Sequence, residues 1–398
     1  MQDQSNDSNR RLEEALAEAH DGFMDDPSIM FKSGAERNRA HFDRLHHRWK
    51  AWERPGPCMY RGCAEPSIRR SHSIHKAGQL ERIAEAKHVL TPHLNSTGHL
   101  EMRRVGVNLA STFPGFCERH EQLFSEFETS GSISTARHVA LQAFRTLCRE
   151  IVRIRREIAD LQTGIEGYRK TRTNYYSSAV HKVAPDAVVK KIAITGDHTE
   201  NRIVLQLKRS KATLSELEGD LYDELFDYVS NQAPDPCLEI LNLPYEVSVA
   251  CSGLGELTYK YDGKKRRAFC PLGILPQNGT TMTFIGAARK HSLAVEFHRA
   301  KMEVGFGALN AMESWIINGS DHWFIRPSAW EAIPATRRAK ILQRIMSDRY
   351  NIGSPVDVSV LDDFRQWIID HNRNSLEAGK DRAKVLRIIR RELAKLAV

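Results

Sequence analysis

Two short-spaced pairs of metal-binding side chains constrain this chain more than any other feature. Cys58 and Cys63 form a C-x4-C pair in "PCMYRGC", and Cys117 and His120 form a C-x2-H pair in "FPGFCERHEQLFSEFE". Zinc takes four ligands in a tetrahedron, commonly delivered as two such pairs because each pair can chelate from a single turn. One structural Zn2+ held by Cys58, Cys63, Cys117 and His120 would therefore pin together two segments far apart in the chain. The bland alternative is a set of buried, unliganded cysteines. The chain has seven cysteines and no secretory signal, so they read as ligands or core residues rather than disulfides. Cys148 falls in a helical apolar stripe, and Cys237, Cys251 and Cys270 fall singly in a β-like region, where a small buried hydrophobe is the ordinary role.

A length of 398 residues exceeds the usual single domain and predicts two or three units. No apolar run reaches the roughly 18–20 residues needed to span a bilayer. The start, "MQDQSNDSNRRLEEALAEAH", lacks an apolar signal region, so the expectation is a cytoplasmic protein with no membrane partner. Lys plus Arg number 58 against 50 Asp plus Glu, a formal charge of +8 that permits a polyanionic partner without demanding one. No G-x4-GK[ST] or G-x-G-x-x-G loop and no G-x-S-x-G elbow is present, which removes the usual support for ATP-driven and esterase readings.

The expected fold class is α+β, in four segments: N-terminal helices over 1–53, a zinc-binding domain over 54–130, a helical arm over 131–233, and a mixed C-terminal domain over 234–398. In 36–52, Phe42, Leu45, Trp49 and Trp52 recur at helical spacing as a core stripe. The second metal pair begins a helix whose apolar face is Leu123, Phe124 and Phe127, and a ligand pair at a helix start is the arrangement of a treble clef. From residue 136, Val139, Phe144, Leu147, Ile151, Ile154, Ile158 and Leu161 follow a repeat close to 3.5, as a long helix or coiled-coil arm requires. "LKRSKATLSELEGDLYDELFDYV" can fold back on it as a hairpin, or the arm can bind a second copy or another protein. Beyond residue 234, "YKYDGKKRRAF" and "LPQNGTTMTF" read as hairpins around Asp262-Gly263 and Asn278-Gly279, in a small antiparallel sheet. The last helix places Leu386, Ile389, Leu393 and Leu396 on one face for packing.

Between the metal pairs lies "IRRSHSIHKAG". Two ligand pairs flanking a Ser-His-x-Ile element, with a helix carrying the second pair, resemble the zinc-containing HNH endonucleases. The resemblance covers about 70 residues and implies metal-dependent phosphodiester cleavage, with His72 as the general base that activates water, Asn108 as the middle residue, and Mg2+ or Mn2+ neutralising the transition-state charge. The chain departs from that family in its C-x4-C first pair, in the long stretch between His72 and Cys117, and in "EQLF" after the second pair, where Glu121 is the one metal-binding side chain. Read from the residues alone, His72 is open to three roles: base, structural hydrogen bond to the zinc loop, or zinc ligand. His75 reads as a surface histidine. Arg69, Arg70, Lys76, Arg103 and Arg104 would surround the site and contact nucleic-acid phosphates, or form a solvated basic surface; "DGKKRR" at 262–267 is a second basic tip. The combined expectation is a zinc-binding HNH-like protein that binds and hydrolyses nucleic acid, in a multi-part layout like that of bacterial anti-phage defence effectors. The competing expectation is a non-catalytic, zinc-stabilised interaction protein acting through its arm and C-terminal domain.

Overall fold

The computed structural model describes residues 2–31, 52, 54–95, 99–189, 191, 192, 194, 196–231, 235–345, 351–376 and 382–397. The chain is mixed α and β, and it divides into two compact units, 1–52 with 153–215 and 53–152 with 216–398. Apart from Trp52, the helix expected over 36–52 lies outside the described residues. Among the described residues, no helix is long and apolar enough to cross a membrane.

The larger unit is built on a seven-stranded antiparallel sheet in the order β3-β2-β9-β6-β7-β8-β5. Its strands are β2 (His88–Leu94), β3 (Leu100–Gly106), β5 (Leu238–Leu243), β6 (Val249–Tyr261), β7 (Lys264–Gln277), β8 (Thr280–Gly286) and β9 (Trp323–Ile325). The expected hairpin turns are present: Asp262 and Gly263 have φ of 51° and 69°, Asn278 and Gly279 of 49° and 79°. Consecutive positive φ values are what the tight two-residue turn demands, and Asn/Asp-Gly supplies them with the least strain. The β2–β3 hairpin comes from the segment expected to form the zinc domain, yet it joins the same sheet as the C-terminal strands. Leu90 on β2 pairs with Ile325 on β9, and Ile325 pairs in turn with Val249 on β6.

One face of this sheet, with Cys251, Leu257, Cys270, Leu272, Ile274 and Ile285, packs on Leu309, Met312, Trp315, Phe364 and Ile369 from C-terminal helices. The neighbouring position Ser252 points to the other face and meets Thr146 hydroxyl to hydroxyl at 2.7 Å. Thr146 lies on a helix of 48 residues, Ala136–Val183, about 72 Å long at 1.5 Å per residue. Every residue of that helix from Val139 to Val152 is buried, including Gln142, Arg145, Arg149 and Glu150. A 3.5-residue stripe predicts one buried face. The structure buries the whole circumference of this stretch because its polar side chains have partners: Gln142 donates to the Ser73 carbonyl at 2.7 Å, and Arg145 pairs with Glu121 and Glu128.

In the smaller unit the remainder of the long helix runs antiparallel to the helix His198–Glu216. Glu157 accepts from Gln206 and Ser210 at 2.9 Å each, and Arg172 pairs with Asp197 and Glu200 at 2.5 Å each. Phe23 and Ala19 of the helix Gln2–Asp25 pack on Tyr176, so the N-terminal helix has a core of its own. The stretch expected as an arm is thus shared between units: 136–152 and 216–229 belong to the sheet-containing unit, and 153–215 to the helical one.

Candidate metal centre and the His72 strand

The two ligand pairs converge. One ligand atom from each of Cys58, Cys63, Cys117 and His120 lies within 4.8 Å of the others. The Cys58 sulfur is 3.5 Å from His120 Nδ1, the Cys63 and Cys117 sulfurs are 3.8 Å apart, and Cys117 Sγ is 3.2 Å from the same Nδ1. Bond lengths of about 2.3 Å to sulfur and 2.0–2.1 Å to nitrogen give a zinc tetrahedron edges of roughly 3.5–3.8 Å. The Cys3His set can therefore hold one metal ion, and its spacing is consistent with a structural zinc. Burial and the neighbouring Arg119 hold His120 below the ordinary imidazole range, which keeps it the neutral ligand a metal needs. Burial pushes the Cys58 thiol up to about 11, whereas the Glu65 backbone N–H lowers that of Cys63.

Local sequence explains the convergence. The Cys63 N–H reaches back to the Tyr60 carbonyl at 3.1 Å, and Gly62 at φ 76° allows the turn to close between the two cysteines. Met59 N–H donates to the Gly115 carbonyl at 2.8 Å, which carries this loop to the second pair. A Cβ at Gly115 would lie 2.2 Å from the Phe113 ring, so only glycine lets the chain turn into Cys117. The Tyr60 ring stacks on His120 with centroids 4.0 Å apart, and Tyr222 donates to the Met59 carbonyl at 2.5 Å. Spacing alone gave no hint of Tyr60 and Tyr222 as supports. The aromatic pair Tyr222 and Phe226, four residues apart on the helix Tyr222–Val229, is the available signal for Tyr222.

Next to the cluster, β1 (Ser71–His72) pairs antiparallel with β4 (Thr112–Phe113), and the short helix Glu118–Glu121 follows Cys117. His72 is half-buried, and its Nδ1 lies 3.0 Å from the Ala110 carbonyl and 3.3 Å from the Ser111 hydroxyl. A carbonyl can only accept, so Nδ1 carries the proton and Nε2 the lone pair. Burial, reinforced by Arg145, lowers its pKa to about 4, so the ring is neutral at physiological pH. Ser71 donates to Glu121 Oε2 at 2.6 Å, and buried Arg145 takes Glu121 Oε1 and reaches Glu128 at 2.5 Å. Glu121 is thus held by the fold at both oxygens.

Asn108 lies exposed in the turn after β3. Among the basic residues, Arg69, Arg70 and Arg104 are exposed and Lys76 and Arg103 half-buried. His75 is not at the surface: it is buried, with Nδ1 lacking a hydrogen-bond partner among the described residues. Among the described residues the Cys3His set is the one group of three or more His, Cys, Asp or Glu side chains positioned to hold a metal ion. In comparisons with protein-family models, curated proteins and solved structures, nothing matched this chain.

Proposed function

We propose that the cluster is a structural zinc site stapling an HNH-like, treble-clef element, and that this element binds nucleic acid and hydrolyses a phosphodiester bond with His72 as general base. The carrying observation is the orientation of His72. Its Nδ1–H is committed to the Ala110 carbonyl, which leaves Nε2 as the proton acceptor. In the reaction Nε2 takes a proton from water, the resulting hydroxide attacks phosphorus, and the P–O bond to the leaving group breaks with its electron pair going to that oxygen, which solvent water protonates. Mg2+ or Mn2+ on the phosphate would neutralise the developing charge. Arg69, Arg70, Lys76, Arg103 and Arg104 supply sequence-independent attraction for the backbone, and Asn108 is the second polar contact. A role in anti-phage defence and a cytoplasmic location belong to the same reading.

The test is cleavage of plasmid DNA or RNA with Mg2+ or Mn2+. The His72→Ala protein should keep its zinc and its fold and lose cleavage. Because His72 titrates near 4, wild-type cleavage should persist at about pH 5.5, where an unshifted imidazole would be mostly protonated. No cleavage by the wild-type chain with any metal or substrate would overturn the reading.

A second reading, a zinc-stabilised interaction protein without catalysis, draws on Glu121. Ser71 and Arg145 hold both of its oxygens, so the fold fixes this carboxylate in a structural role without a hydrolytic metal. That reading expects full zinc content with no cleavage.

A further inference from the structure

We propose that the β6–β7 ribbon is a docking element for double-stranded DNA, inserted into the major groove and held by phosphate contacts. β6 and β7 pair residue by residue from Cys251–Ile274 to Tyr261–Lys264. On the outer sides, β9 reaches only Cys251 and β8 only Leu272, so the pair runs on without a third strand. Its base is fastened: Thr258 N–H donates to Asn351 Oδ1 at 3.1 Å, Tyr259 Oη meets His291 Nδ1 at 2.7 Å, and Arg267 pairs with Glu216 at 2.5 Å. Beyond that base, every residue from Lys260 to Arg266 is exposed.

Charge is the second argument. Lys260 and Lys265 are direct cross-strand partners, a like-charge pairing that disfavours the ribbon unless an anion lies against it. Among the described residues, Lys260, Lys264, Lys265 and Arg266 form no ion pair, and Asp262 is the single acid at the tip. Arg266 lies over the Tyr261 ring at 4.9 Å, and Tyr261 is 48% exposed, so a planar cation on an aromatic face is presented to the partner. Shape is the third. Beyond its fastened base, the ribbon from Lys260 to the turn is about 10 Å long at 3.3 Å per residue, comparable with the depth of a groove about 8.5 Å deep and 12 Å wide that accepts a two-stranded ribbon. The major groove of A-form RNA is too narrow for it. This inference needs no hydrolysis and stands or falls apart from His72.

The test is fluorescence anisotropy of a labelled 24-base-pair DNA duplex with the full chain, without added divalent metal, across a salt series. Lys260→Gln, Lys264→Gln, Lys265→Gln and Arg266→Gln are combined in one variant. Four phosphate contacts predict a slope of log K against log salt shallower by about 3–4 in the variant, and at about 0.1 M salt an affinity loss of roughly five- to tenfold per cation. A control with the same charge change at Lys182, Lys208, Arg209 and Lys211 should bind like wild type. Equal loss in the control, unchanged binding by the ribbon variant, no duplex binding by wild type, equal binding of an RNA duplex of the same sequence, or tighter binding to phosphatidylserine vesicles would each overturn the proposal. Both variants change exposed side chains only, and matching thermal transitions would establish that each is folded.

Discussion

Cys58, Cys63, Cys117 and His120 meet with no cation of their own, whereas Arg365, Glu313 and Glu392 meet beside cations of the chain itself. In the second cluster all three side chains are fully buried. Arg365 pairs with both carboxylates, Lys395 adds a second cation to Glu392 at 3.1 Å, and Glu313 also accepts from the Val360 N–H at 2.9 Å. Arg391 also reaches Glu392, at 3.3 Å, so both anions meet cations of this chain and no outside ion is needed. The cysteine cluster has three sulfurs and an imidazole nitrogen with only weak S–H donors between them. The set can be completed by a metal cation from outside. The two clusters should therefore respond differently to removal of metal.

The largest expected effect follows from that difference. Cys117→Ser should drop bound zinc from about one per chain to near zero, and loss of several kcal/mol of site energy should lower Tm by more than about 10 °C. Chelator should do the same to wild type and leave the Arg365 cluster untouched. A chain that purifies metal-free with an unchanged transition would reduce the cysteines to packed core residues like Cys251 and Cys270. Next in size is Arg365→Met, which strands Glu313 and Glu392 without their shared cation. The expected cost is about 3–5 kcal/mol in denaturant unfolding, with full zinc retained. A cost below about 1 kcal/mol would mean that Lys395 and Arg391 suffice to neutralise the site.

The convergence of the Cys3His set was legible because chelating pairs have a characteristic spacing, and the Asp-Gly and Asn-Gly turns were legible because few residues tolerate their φ values. The buried ion pairs were not. Glu392 sits on the last helix between apolar positions, and its charge makes it look solvent-facing. The pattern therefore placed Leu386, Ile389, Leu393 and Leu396 on the packing face. In the structure Ile389 and Glu392 are buried and Leu386 and Leu393 are exposed, because Arg365 draws Glu392 inward and rotates the buried face toward it. Arg145 escaped notice for the same reason, since its partners Glu121 and Glu128 lie on another element. Nor does periodicity reveal which sheet a hairpin joins, so β2–β3 was read with the zinc segment beside it.

The smallest effect concerns a buried group that belongs to neither kind of cluster. His298 is buried, and its Nε2 accepts from the Trp315 indole N–H at 3.2 Å, which requires a lone pair there and hence a neutral ring. Burial, with Lys301 adding to it, lowers its pKa from 6.5 to about 4. The unfolded chain therefore takes up this proton at higher pH than the folded one. Its stabilising contribution is complete above about pH 6.5 and is lost as pH falls toward 4, by roughly 3 kcal/mol at most. His72, also lowered to about 4, adds a loss of the same sign in the same window. His298→Gln keeps an acceptor and removes the titration, so its stability should fall less steeply than wild type between about pH 6.5 and 4. Parallel curves would mean that His298 is neutral for reasons that do not bear on folding, and would leave His72 to account for the acid sensitivity.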